Sequence, residues 1–336
     1  ARQSSNKFGF ALDLFVSLPV WTEPDAPLRC FTFESFYDIS SLMTTQQADQ
    51  ILRRNIEILS RTTEAEERIA PPGDSPMPSI PAIEEMLQSA RIVFFPDFFD
   101  RRSSCHSIRS AVIGVKIEKI YTLLSQEIVK GMQLDRHSTC EEACERSRQL
   151  ALDFIDMLPE IKRLLYTDVT AVYHNDPAVD DYSEIILSYP AIRAMMHYRV
   201  AHALLQLGIP VLPRIITELA HSATGIDINP GAKIGEYFAI DHGTGVVIGQ
   251  TCIIGNHVTI YQGVTLGARN FTLDEEGHPL NIPRHPIIED NVTIYSNTSI
   301  LGRITVGHDS VIGGNVWLTN SVEPYSRIIQ SKSTNT

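Results

Sequence analysis

Two short stretches of this 336-residue chain carry side chains suited to proton transfer and anion binding. In DHGTG (241–245), His242 stands between an acid and two glycines. A neutral imidazole is a natural general base, because its pKa lies near working pH. Asp227 precedes it by fifteen residues, a spacing that would let a carboxylate accept the Nδ1 proton and fix the tautomer. In PRHP (283–286), Arg284 and His285 are adjacent, and the planar fork of Arg284 matches a carboxylate. His242 with Asp227 reads as a general-base dyad, and Arg284 as a carboxylate clamp.

Whether these residues meet depends on the framework that carries them. From Ile228 to Leu318 an aliphatic residue recurs every sixth position: Ile228, Ile234, Ile240, Val246, then after a two-residue slip Ile248, Ile254, Ile260, Leu266. Beyond an interruption the series resumes at Ile288, Ile294, Ile300, Val306, Ile312 and Leu318. A second series of small or branched residues follows it, including Ala232, Thr244, Cys252, Val258, Val264, Thr298 and Ser310. A period of six is neither that of a helix nor that of a simple strand. It is the spacing of a hexapeptide solenoid.

Such a chain folds into a triangular prism, each unit giving one short strand and one corner. Inward aliphatics stack into a ladder worth roughly 1.5 to 3 kcal/mol per buried side chain, and no coil is stable alone. Corners demand left-handed backbone, which Gly, Asn and Asp adopt at least cost. An ordinary β-sandwich would show irregular strand spacing. On the prism, His242 falls at a corner and points outward, Asp227 lies almost one coil below, and Gly267 to Pro286 forms a long loop ending in Arg284 and His285.

Composition narrows the function classes. The chain has 28 basic and 40 acidic residues, a formal net charge of -12, and is 43% hydrophobic. A surface of that sign repels phosphate backbones, so no nucleic-acid partner is expected. No run of 18 apolar residues exists to span a membrane. The five cysteines (Cys30, Cys105, Cys140, Cys144, Cys252) lack zinc spacing and read as reduced thiols of a cytoplasmic protein. The chain begins with Ala, and its first twenty residues lack a secretory pattern.

The fold class expected is α+β, an all-α domain followed by a parallel β-helix. Residues 1–82 read as an extension with a Pro-rich linker, in which 41–63 has room for a helix and 71–81 holds five prolines. Residues 83–224 read as a helical domain, with helices over 116–132, 144–165 and 182–207, the last broken near Pro190. That domain reads as a cover for the open first coil, whose strands would otherwise be unpaired edges, with oligomerisation as a second role for the same helices. Residues 225–323 form the β-helix and 324–336 a tail.

The motifs NDPAVD (175–180), DINPGAKIG (227–235), DHGTGVVIG (241–249), QGVTLG (262–267) and RHP (284–286) together resemble the serine O-acetyltransferase family, over about residues 166 to 318. The resemblance implies a left-handed β-helix, assembled as homotrimers or stacked trimers with the active site between neighbouring prisms. It implies transfer of an acetyl group from acetyl-CoA to the L-serine hydroxyl, giving O-acetylserine for cysteine synthesis, with feedback inhibition by L-cysteine. Carried over residue by residue, His242 takes the serine hydroxyl proton and Asp227 holds His242. Asp176 and Asp241 bind the ammonium, Arg284 the carboxylate, and His285, from the adjacent subunit, completes the serine pocket. Acetyl-CoA passes close to the backbone at Gly267 and Ala268.

The chain also departs from the family pattern. Asn229 replaces a usual His, Gln250 a usual Glu, Ala268 the second of two glycines, and Val311 a lysine of the last coils. Arg269 and Arg303 remain to meet the phosphates of CoA. Another hexapeptide acyl-CoA transferase, acting on a sugar or xenobiotic hydroxyl, would share His242 without needing NDPAVD. A zinc hydratase on the same prism needs two His five residues apart, a pair that His242, His257, His285 and His308 do not form, so no metal is expected. In many of the family a C-terminal Ile anchors O-acetylserine sulfhydrylase. Here the last residue is Thr336, so no stable complex with that enzyme is expected.

Overall fold

The computed structural model describes residues 45–71, 76–100, 106–133, 140–270, 272–278 and 280–330. Two units divide at Ala70 and Pro71. In the first, α1 (Thr45–Leu59) occupies most of the stretch read as a helix, and α2 (Glu64–Ile69) follows it. A reciprocal capping box starts α2, Thr63 accepting from the Glu66 amide while the Glu66 carboxylate accepts from the Thr63 amide. The expectations for Cys30, Cys105 and the terminal segment 331–336 concern residues outside this set, while Cys144 and Cys252 are free thiols.

The second unit begins with helices α3 (Ile80–Phe94), α4 (Pro96–Phe99), α5 (His106–Gln133), α6 (Cys140–Asn175), α7 (Tyr182–Ser188), α8 (Pro190–Gln206) and α9 (Leu212–Thr224). Helix α3 starts inside the proline-rich run, because Ser79 caps it and Pro81 sits in the first turn, where a missing amide costs nothing. The apolar pattern over 182–207 resolves into two helices that break at Tyr189, the residue before Pro190 being excluded from helical backbone. Gly225, at φ 71°, ends α9 and delivers the chain to the prism. No described helix is long and apolar enough to cross a membrane.

Among the described residues fourteen short strands follow: β1 (Asp227–Ile228), β2 (Lys233–Ile234), β3 (Ala239–Asp241), β4 (Val247–Ile248), β5 (Ile253–Ile254), β6 (Thr259–Tyr261), β7 (Thr265–Gly267), β8 (Ile287–Ile288), β9 (Thr293–Ile294), β10 (Ser299–Leu301), β11 (Thr305–Val306), β12 (Val311–Ile312), β13 (Trp317–Leu318) and β14 (Arg327–Ile328). They form three parallel sheets, β1-β4-β7-β10-β13, β2-β5-β8-β11 and β3-β6-β9-β12-β14, one for each face of a β-helix. The fourteen inward aliphatics read from the sequence are buried, except Leu318 in the last coil, which is half-buried. One corner column, Tyr237, His257, Asn291, Asp309 and Tyr325, has φ between 54° and 61°. Strand β14 carries the prism past residue 323.

The first coil would expose unpaired strand edges, and side chains of α6 and α8 satisfy them. The Tyr198 hydroxyl donates to the Ala232 carbonyl at 2.7 Å and accepts from the Ile234 amide at 3.1 Å. Arg199 donates to the Gly235 carbonyl, His202 bridges to the Pro230 carbonyl, and the amides of Tyr237 and Phe238 donate to Thr167 and Asp168. Asp168 and Arg199 form a buried bidentate pair at 2.6 and 2.7 Å. Such a pair becomes a liability when one partner is lost, since the remaining charge is stranded, at a typical cost of about 3 to 5 kcal/mol. Asp168→Asn is expected to lower urea-unfolding stability by about that amount, and Tyr198→Phe by about 1 to 3 kcal/mol through two orphaned backbone groups. Wild-type unfolding midpoints in both variants would refute this account of the joint.

Candidate functional site

The two-residue slip is the structural origin of the first half of the site. Between β3 and β4 the corner needs extra chain, and three residues take positive φ: His242 at 55°, Gly243 at 87° and Gly245 at 80°. At Gly243 a Cβ would lie 2.5 Å from Ile226 Cδ1 and 3.0 Å from Ile240 Cγ2, so only glycine fits there. The bulge is tied down by amide bonds from Gly245 to the Gly225 carbonyl and from Val246 to the Gly243 carbonyl. It also turns Thr244 out to solvent, with Val246 filling the interior position instead. His242 is left 74% exposed, its Nε2 lying 3.8 Å from Asp241 Oδ1.

The helices supply the opposing wall. Asn175, the last residue of α6, donates to Thr259 Oγ1 at 3.1 Å, which ties the helix end to the prism. Asp176 follows, its Oδ1 accepting from the Ala178 amide at 2.9 Å and its Oδ2 from the Tyr189 hydroxyl at 2.6 Å. The phenol and that amide hold the Asp176 carboxyl below the usual carboxylate range, and the same bond pushes the Tyr189 phenol up. Asp176, Tyr189, Pro190, Asp241, His242 and Thr244 line one cavity of about 390 Å³. Two carboxylates facing a base across so small a space suit a cationic acceptor with a nearby hydroxyl.

Tyr189 did not emerge from the sequence. The proline break was visible, but not that the residue it locks in extended backbone, at φ -75° and ψ 120°, would reach an acid thirteen positions earlier. Asp227 stands differently from the sequence reading. Its Oδ1 lies 3.4 Å from an Arg214 guanidinium nitrogen, and no hydrogen bond joins it to His242 among the described residues. Arg214 also pairs with Glu218, which lies beside His221. Donor atoms of Glu218, His221 and Asp227 converge within 4.8 Å, with Arg214 supplying the local positive charge.

The second half of the site lies at the next corner. The loop between β7 and β8 folds on itself around Asp274, whose Oδ1 accepts from the amides of Glu276 and His278. It rejoins the prism at Pro286, whose carbonyl accepts from the Ile253 amide. Arg284 donates to Gln250 Oε1 at 3.2 Å, and His285 is 7% exposed against Gly249. Burial and the charges of Arg284 and Arg303 push the His285 imidazole down to about 4, so the ring is neutral near pH 7. Gly267 ends β7 at this corner, followed by half-buried Ala268 and exposed Arg269. Arg303 stays exposed while its Nη1 donates to the carbonyls of Thr251 at 2.7 Å and His285 at 2.9 Å. One chain therefore carries two groups of candidate residues on neighbouring edges, with β4 between them.

Residues 285–320 match the family model for the bacterial transferase hexapeptide (six repeats). The plasmid serine acetyltransferase of Synechococcus elongatus is 47% identical over 264 residues, covering 76% of this chain and 83% of that protein. The serine acetyltransferase of Bacillus subtilis is 44% identical over 167 residues, 50% of this chain and 73% of that one. Among solved structures, serine acetyltransferase 1 of Entamoeba histolytica in complex with L-cysteine superposes with a TM-score of 0.63 at 38% identity, over 73% of this chain and 86% of that one. Isoform 3 of the same organism, in complex with cysteine, gives 0.63 at 32% identity, over 75% and 83%.

The bond from Tyr189 to Asp176 has a measurable consequence. Tyr189→Phe removes a donor that favours the ionised carboxylate, so the Asp176 pKa is expected to rise and its ionised fraction at acid pH to fall. Carbon-detected titration of the aspartate side chains reads this directly. An unmoved Asp176 pKa in the variant would mean that the phenol does not stabilise the carboxylate.

Proposed function

Because this chain belongs to the serine acetyltransferase family, we propose that the cavity around His242 is where the L-serine hydroxyl is acetylated. The carrying observation is the union of Asp176, Asp241 and His242 in one pocket of about 390 Å³. The serine ammonium sits between the two carboxylates, which leaves its hydroxyl beside His242. Neutral His242 takes the hydroxyl proton as the oxygen attacks the thioester carbonyl of acetyl-CoA. The tetrahedral intermediate then collapses, the carbon–sulfur bond breaks, and the proton passes from His242 to the departing thiolate, giving O-acetylserine and CoA. Asp241, at 3.8 Å, is the carboxylate nearest the imidazole among the described residues. Asp227 orients His242 once Arg214 pairs with Glu218 alone.

The serine carboxylate requires a cation, and Arg284 supplies it from a neighbouring copy. Since the two half-sites occupy adjacent edges of one prism, a threefold arrangement of prisms sets the His242 edge of one copy against the Arg284 edge of the next. His285 then completes the serine pocket, and acetyl-CoA lies along the groove between copies, past Gly267, Ala268 and Arg269. In this reading the helices α3 to α9 form the helical domain and the strands β1 to β14 the catalytic prism. L-Cysteine, present in both Entamoeba structures, shares serine's ammonium and carboxylate, and it occupies the same pocket as a feedback inhibitor.

His242→Ala is expected to lower serine-dependent release of CoA thiol by ~10² to 10⁴ while leaving the fold intact, the usual effect of losing a general base. Wild-type turnover in a folded variant would eliminate His242 as the base. Arg284→Ala should raise the serine KM and the cysteine inhibition constant together, since both ligands lose the same carboxylate partner. Cysteine inhibition that survives unchanged while the serine KM climbs would assign cysteine to a separate site.

A further inference from the structure

The loop that carries Arg284 and His285 is long, yet these two side chains must be placed accurately to meet a small substrate. One side chain in the turn between β4 and β5 governs that placement. Thr251 Oγ1 accepts from the Arg284 amide at 2.9 Å and from the His285 amide at 3.1 Å. The Thr251 amide donates to His285 Nδ1 at 3.1 Å, and Thr251 Oγ1 lies 2.8 Å from the same nitrogen. An amide N–H can only donate, so Nδ1 is an acceptor and the single ring proton of the neutral imidazole resides on Nε2. Nε2 makes no hydrogen bond among the described residues.

Two further contacts lock the arrangement. Arg303 Nη1 bridges the carbonyls of Thr251 and His285, stapling the returning loop to the turn between β4 and β5. The imidazole lies flush on Gly249, where a Cβ would fall 2.0 Å from Cδ2 and 2.2 Å from Nε2, so any other residue there would expel the ring. We propose that Thr251 is a positioning residue for serine binding: its hydroxyl and amide dock the Arg284–His285 segment and present His285 as an Nε2-protonated donor to the substrate. The charges around that ring are those of Arg284 and Arg303, which favour the neutral form. This inference rests on the reading that Arg284 and His285 contact serine.

The test is steady-state kinetics on the full chain, with serine varied at saturating acetyl-CoA. Thr251→Val keeps the shape but leaves the Arg284 and His285 amides without their acceptor, and the serine KM is expected to rise about tenfold with kcat nearly unchanged. Thr251→Ser, which retains the hydroxyl, restores most of the loss. A purely structural role would instead reduce the active fraction, lowering kcat at constant KM, and that outcome overturns the proposal. Arg284→Gln and His285→Asn are measured in parallel. If they raise the serine KM and Thr251→Val does not, the proposal fails alone; if neither raises it, the site reading fails and takes the proposal with it. Long-range proton–nitrogen correlation spectra of histidine-labelled protein, with His285→Asn for assignment, should show His285 protonated at Nε2 and bare at Nδ1 at pH 7. A proton on Nδ1 overturns the proposal whatever the kinetics give.

Discussion

A parallel β-helix has a problem at the coil where it begins: one row of backbone donors and acceptors has no preceding strand. In this protein that row is met by Tyr198, Arg199, His202, Thr167 and Asp168, all on α6 and α8. A buried unsatisfied amide or carbonyl costs about 1 to 3 kcal/mol, and several together would exceed the margin by which domains are stable. The helical layer is thus a lid cut to the hydrogen-bonding pattern of one coil. It also fixes the end of α6, and with it Asp176, against strand β6 of the prism.

The candidate site lies where the period of six fails. The slip between β3 and β4 produces the left-handed bulge that raises His242 from the surface, and the insertion between β7 and β8 brings in Arg284 and His285. Both departures fall at corners, so the ladders on either side keep register: Asp241 still pairs with Tyr261, and Ser299 with Thr265. The regular part of the sequence supplies a rigid frame, and the irregular part carries the candidate site. Small residues serve the chemistry indirectly, Gly243 by admitting the bulge and Gly249 by making room for the His285 ring.

The β-helix was legible because each coil repeats the same burial problem, and fourteen aliphatic positions announce it. Helices were legible by periodicity, though Ser79 and Pro81 carry α3 into a run that reads as a linker. What escaped depends on contacts remote in sequence. Tyr189 reaches Asp176 only because α7 and α8 break at Pro190, and Thr251 matters only because a distant loop returns onto it. Arg303 read as a candidate cation for phosphates, and the sequence did not show that its Nη1 also donates to the carbonyls of Thr251 and His285. Asp227 illustrates a further limit: spacing placed it near His242, while Arg214, on a helix of unrelated period, holds the carboxylate in the single chain.

The confinement of every irregularity to a corner bears on how such a chain can change over generations. A residue inserted within a strand of this prism would turn each later side chain to the wrong face. One inserted at a corner only lengthens a connection whose ends are already pinned by paired strands, and doubling such a loop costs only about 0.6 kcal/mol. The loop between Gly267 and Pro286 is the extreme case, since Ile288 still stacks on Ile254 as though nothing intervened. Lineages built on this frame can therefore trial new loops, and new acceptors, without renegotiating the core.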